Sequence, residues 1–169
     1  MKKYRHTVQY YETDRMGIVH HSNYIRWMEE ARIDFLKQIG WGYEKLETCG
    51  VISPVTSVEC KFKQSTTFPD EVFINVHVEA VNGVRLQLRY VMEKEDGKTV
   101  CQAKSEHCFM DTEGKLIRLN NRFPEFYQVL RELANEEKGR SGSGFCTGVR
   151  VARRILVTGE CEGFTWRHA

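Results

Sequence analysis

Residues 22–39 read SNYIRWMEEARIDFLKQI. Within them Tyr24, Trp27, Met28, Ala31, Phe35 and Ile39 recur at three- and four-residue steps, while Arg26, Glu29, Glu30, Asp34 and Lys37 fall outside that row. Such spacing draws an apolar stripe down one face of an α-helix. Ser22 and Asn23 are the N-cap candidates, and Gly40 stands where the helix would stop.

Further along the chain the apolar period shortens to two. Val72, Ile74, Val76, Val78 and Ala80 alternate with Asn75, His77 and Glu79, the pattern of a strand buried on one face. Asn82-Gly83 then suits a type I′ hairpin turn, after which Leu86, Leu88, Tyr90 and Met92 alternate with polar residues. Asp96-Gly97 marks a second turn into Thr99–Met110, where Cys101, Ala103, His107 and Phe109 share one parity. Val55–Phe62 reads as a preceding strand and Arg5–Tyr10 as a short first one. The expected order is therefore strand, long helix, four-stranded antiparallel meander, with the sheet wrapped around the helix in an α+β architecture. Pro124 opens a last helix whose inner face is Phe126, Val129, Leu130 and Leu133.

Composition narrows the functional classes. The 169 residues are 41% hydrophobic and 11% aromatic, which suits one domain with its own core. A balance of 25 Lys plus Arg against 23 Asp plus Glu lacks the basic excess by which nucleic-acid-binding domains draw affinity from phosphate. No apolar run approaches the ~18–20 residues of a membrane span. Met1-Lys2-Lys3-Tyr4 leads into polar sequence rather than a signal segment, so the expected location is the cytoplasm. Six cysteines without Cys-x-x-Cys spacing read as reduced thiols. At Gly139 the composition shifts: residues 139–169 hold 6 of the 13 glycines, no lysine, and five basic against two acidic residues. The expected organisation is a domain over 1–138 and a disordered or adventitious extension over 139–169.

Between the first strand and the long helix lies YYETDRMGIVHHSNY, residues 10–24. Asp14-Arg15-Met16-Gly17 suits a type I turn, with Asp at its first and Gly at its fourth position. A turn alone would account for Asp14. The same stretch also delivers a carboxylate, two histidines and a tyrosine to a helix N-terminus, where unpaired N–H groups and the positive end of the helix dipole favour charge developing on an oxygen.

The run YETDRMGIVHHSNYIRWMEEAR resembles the N-terminal signature of hotdog-fold acyl-CoA thioesterases of the 4-hydroxybenzoyl-CoA thioesterase and YbgC-like group. Their D-T-D-x-x-G-x-V-x-H-x-x-Y run, followed in the helix by E-x-A-R, is met by Thr13, Asp14, Gly17, Val19, His21, Tyr24, Glu29, Ala31 and Arg32. Glu12 replaces the first Asp of the pattern. The resemblance spans about residues 4–135; the tail has no counterpart in it.

The resemblance implies a hotdog fold and a hydrolase that splits acyl-CoA thioesters into free acid and CoA. Asp14 would be the essential carboxylate, either attacking the carbonyl as a nucleophile or serving as general base for water. His21 would be the second catalytic group through its imidazole, its backbone N–H would polarise the carbonyl, and Tyr10 matches a tyrosine also implicated at the site. His20 has no counterpart. Each residue also has a purely structural reading: His21 as a helix cap, Tyr24 as core, and Glu29 with Arg32 as an ion pair three residues apart. No cofactor is expected beyond the CoA of the substrate, and no metal-ligand spacing is present. The residues binding CoA stay unassigned, since Lys61, Lys63, Arg85 and Arg89 read equally well as solvated strand residues. A homodimer or homotetramer with sites between subunits is implied. The competing readings are an acyl-carrier-protein thioesterase, a hotdog dehydratase, and a non-catalytic acyl-CoA binding module.

Overall fold

The structure, a computed structural model, describes residues 1–142, with side chains as far as Gly139. Its elements run β1 (Tyr4–Thr7), a 3-10 turn (Tyr10–Glu12), α1 (His21–Gln38), α2 (Tyr43–Thr48), β2 (Val55–Phe62), β3 (Glu71–Val81), β4 (Arg85–Lys94), β5 (Thr99–Cys108), α3 (Leu119–Arg122) and α4 (Pro124–Gly142). The five strands form one antiparallel sheet in the order β1-β3-β4-β5-β2.

Alternation decides which side of the sheet is core. Val72, Ile74, Val76 and Val78 of β3 and Leu86, Leu88, Tyr90 and Met92 of β4 are all buried, together with Trp27, Met28, Ala31 and Phe35 of α1. The expected sheet wrapped on a helix is thus present. On the other side His77 and Arg89, of opposite parity, meet Glu137 of α4 at 2.7 and 3.1 Å. Phe126, Leu130 and Ala134 are the buried face of α4.

Several local expectations are corrected. β2 does not neighbour β3, so the four later strands are not a simple meander. β1 occupies that edge of β3, and β2 pairs with β5 on the far side, with Val58 opposite Ser105. The first strand ends at Thr7 because the chain turns there: the Glu12 amide donates to Gln9 O, and the Glu12 carboxylate accepts from Gln9 N. The β3–β4 connection is three residues long, with positive φ at Gly83 and the Asn82 side chain accepting from the Val84 and Arg85 amides. The N-cap of α1 is His20, whose Nδ1 accepts from the Ser22 amide, and not Ser22 or Asn23. Gly40, at φ +78°, ends the helix as expected. α4 runs on through Gly142, over the start of the proposed extension, whose remainder lies outside the described residues. Cys60, Cys101 and Cys108 are free thiols as expected, whereas Cys49 is in a disulfide.

One buried polar chain crosses the core. Arg32 is 4% exposed; it donates through Nη2 to both Glu29 oxygens at 2.9 Å and lies with Nη1 3.2 Å from His107 Nδ1. A guanidinium only donates, so Nδ1 accepts and the proton sits on Nε2, which donates to Ser105 Oγ at 2.7 Å. Ser105 Oγ is 3.0 Å from the Tyr90 hydroxyl. Burial and the Arg32 charge push the His107 pKa down from 6.5 to about 4. The native state therefore keeps His107 neutral while the unfolded chain binds its proton, so this stability is complete above pH 6.5 and is lost as pH falls through 4. Urea unfolding at pH 7 and pH 4.5 is expected to show an acid loss of roughly 2–3 kcal/mol from this group, reduced in His107→Gln relative to its own value at pH 7.

Candidate active site

The segment from Thr13 to His20 is a tight arch. Thr13 and Val19 form an antiparallel bridge at its base, and the Asp14 amide donates to Ile18 O at 2.9 Å. At the tip the Gly17 amide donates to Asp14 O, and the Met16 amide donates to Asp14 Oδ1 at 2.8 Å. Asp14 is thus a turn residue, as its local sequence suggests. The turn uses only one carboxylate oxygen; Oδ2 has no hydrogen bond among the described residues, and the side chain is half-exposed. A structural role and a chemical one are therefore compatible at this position.

His21 is the first residue of α1, so its backbone N–H has no acceptor within the helix. Its exposed ring lies beside that of His20, centroids 4.1 Å apart. The capping role belongs to His20, which leaves the His21 imidazole without a structural hydrogen bond among the described residues. Tyr10, on the 3-10 turn, is 78% exposed, its ring edge-on to Phe68 at 5.9 Å. Its carbonyl accepts from both the amide and the hydroxyl of Thr13. Tyr10, Asp14 and His21 thus all belong to one continuous stretch entering α1.

Other candidates have partners within the fold. Tyr24 is 3% exposed, its hydroxyl 2.8 Å from Thr66 Oγ1, and burial raises its pKa. The Glu29–Arg32 pair is present and belongs to the core chain above. Lys61 pairs with Glu59 and Arg89 with Glu137.

Two supports escaped sequence reasoning. The segment after β2 latches the arch: the Val19 amide donates to Thr66 O at 2.9 Å, and the Thr67 hydroxyl donates to Gly17 O at 2.7 Å. These contacts span about fifty residues, and nothing local to Thr66-Thr67 signals them. The other is Glu12, which is 4% exposed. Its Oε1 accepts from Trp27 Nε1 at 2.7 Å, and its Oε2 from Gln9 N at 2.7 Å and His6 Nε2 at 2.9 Å. Burial alone would raise its pKa, but the hydrogen bonds from Gln9, His6 and Trp27 outweigh that and hold it below the ordinary carboxylate range. The Glu12 carbonyl accepts from the His20 amide and from Asn23 Nδ2. No local signal marks Glu12: it lies beyond the expected first strand, and its donors come from His6, Gln9 and Trp27.

A family profile described as the thioesterase-like superfamily matches residues 8–133. A putative esterase of Aquifex aeolicus is 35% identical over 129 residues, covering 76% of this chain and 97% of that protein. A putative acyl-CoA thioesterase of Bacillus subtilis is 33% identical over 121 residues, 71% and 88% of the two chains. Among solved structures, a DHNA-CoA thioesterase from Staphylococcus aureus superposes with a TM-score of 0.76 at 28% identity, covering 85% of this chain and 96% of that one. The chain belongs to the thioesterase-like superfamily and has its hotdog fold.

Gly17 sits at φ +75° with open space around a built Cβ. Replacement by Ala therefore brings backbone strain without a clash, and Gly17→Ala is expected to lower stability by about 1–2 kcal/mol in urea unfolding.

Proposed function

We propose that this thioester hydrolase cleaves acyl-CoA to free acid and CoA, as a member of the 4-hydroxybenzoyl-CoA thioesterase and YbgC-like branch of its superfamily. The observation that carries the reading is the half-exposed Asp14 carboxylate, with one oxygen tied to Met16 N and the other free, on the arch that leads directly into the N-terminus of α1.

In this scheme the free Asp14 oxygen either attacks the thioester carbon, giving a mixed anhydride that water then opens, or takes a proton from the water that attacks. The carbonyl oxygen gains negative charge in both routes. The His21 amide and the positive end of α1 stabilise it more in the transition state than in the ground state, which is the condition for acceleration. The His21 imidazole, free of any capping duty, delivers a proton to the departing thiolate, and the Tyr10 phenol helps orient the acyl group. One water is consumed per turnover, its oxygen entering the acid directly or replacing the Asp14 oxygen that does and its proton going to the thiol, so the scheme needs no cofactor beyond the CoA of the substrate. Single-turnover hydrolysis in ¹⁸O water separates the general-base route, which labels the acid alone, from an anhydride opened at the Asp14 carboxyl carbon, which labels Asp14 and releases one of its unlabelled oxygens with the acid.

The proposal includes a homodimer, or a pair of dimers, formed along β2. That strand is at the sheet edge, seven of its eight residues are exposed, and they include Val55, Val58 and Phe62. An unpaired apolar edge of this length is one that proteins generally cover. Analytical ultracentrifugation is expected to give a mass of two or four chains, and a monomer at micromolar concentration would remove this part.

Thiol release measured over short, branched, aromatic and long acyl-CoAs, with an acyl-carrier-protein thioester beside them, tests the substrate class. Asp14→Asn is expected to lower kcat by about 10³-fold or more without altering the thermal midpoint by more than a few degrees. Near-normal turnover in that variant would refute the role of Asp14.

A further inference from the structure

Two of the groups proposed above for catalysis are linked through the backbone to one residue whose carboxylate is buried. Asp14 follows Glu12 by two residues, and His21 follows His20, whose amide donates to the Glu12 carbonyl at 2.9 Å. The three donors to the Glu12 carboxylate come from three places: His6 on β1, Gln9 before the 3-10 turn and Trp27 on α1. We propose that Glu12 is the positioning residue of the arch, with His6 as its support, setting where Asp14 stands relative to the N-terminus of α1. This inference rests on the acyl-thioesterase reading of the site.

The chemistry of the site requires a carboxylate. Oε1 and Oε2 together take three N–H donors, and the Gln9 amide and Trp27 indole can only donate. A glutamine here has one oxygen to offer and must turn its NH2 toward one of those donors, whichever way it is oriented. His6 is itself well held. Its ring lies 4.6 Å from that of Trp27, its Nδ1 is 3.3 Å from Glu30 Oε2, and its side chain is 11% exposed.

The helix does not depend on Glu12 alone for its own place. Its apolar stripe fills the core, and Arg32 binds it to β5 through His107. Loss of the Glu12 contacts therefore loosens the arch before it displaces the helix. A displacement of about 1 Å at a reacting group can cost on the order of 10²-fold in rate. The expected signature is a loss in kcat.

The test uses the full chain and the thioester of the panel above that it cleaves fastest, assayed well below the thermal midpoint. Glu12→Gln is expected to lower kcat by about 30- to 100-fold with KM within about threefold. In an Asp14→Asn background, followed by single turnover at high enzyme concentration, the same change is expected to cost less than about twofold, because a residue that acts through Asp14 has nothing left to position. His6→Leu is expected to lower kcat about tenfold, and His6→Gln, which restores a donor, to recover most of that. Should Glu12→Gln fail to fold, the two His6 variants decide the matter. The proposal falls if both Glu12→Gln and His6→Leu keep kcat within threefold of wild type, if their losses lie in KM, or if Glu12→Gln costs as much without Asp14 as with it. Retained turnover in Asp14→Asn would overturn the reading of the site itself, and this proposal with it. Loss of turnover there, beside intact Glu12 and His6 variants, overturns this proposal alone.

Discussion

The contact on which the arch and the candidate site depend is the hydrogen bond from the Trp27 indole to the Glu12 carboxylate, 2.7 Å long and closed to solvent. It joins the largest side chain of the helix stripe to the segment that enters the helix. Burying a carboxylate is costly unless its oxygens are fully satisfied, and here three donors from three elements do so. The same residue's backbone carbonyl holds the first turn of α1 through His20 and Asn23. A single buried acid thus places a strand, a turn, an arch and a helix N-terminus relative to one another.

Arg32, on α1 itself, is the counterpart of Glu12. It too is buried, and it too is paired, with Glu29 on its own helix and His107 on β5. Two buried charges facing different strands leave α1 little freedom to rotate or slide, which apolar packing alone would permit at lower cost. They differ in their surroundings: Arg32 lies in a polar chain that runs from the exposed Glu29 to the buried Tyr90, whereas Glu12 lies under the half-exposed arch.

Much of this was legible in the chain. The apolar stripe from Tyr24 to Phe35 and the alternation from Val72 to Met92 specified helix and strands, because each periodicity reports burial of one face. The resemblance carried by Asp14, Gly17 and His21 pointed to the arch. Less visible were the neighbours of each strand. β2 looked like the first leg of a meander, yet it pairs with β5, since β1 takes the place beside β3 that sequence order would offer it. The expected capping role of Ser22 or Asn23 likewise went to His20: either Asn23 or His20 can cap a helix locally, and the Glu12 carbonyl, eleven residues earlier in the chain, claims the Asn23 side chain.

Local sequence, then, determined element types, the inward faces and the stretch bearing the candidate chemistry, because those follow from short-range periodicity and turn geometry. Tertiary structure decided which carboxylate is buried and which is presented. Glu12 and Asp14 are acids two residues apart and chemically alike, but only the first meets the donors of β1, the 3-10 turn and α1. That difference arises from contacts between distant residues, and no local pattern encodes it.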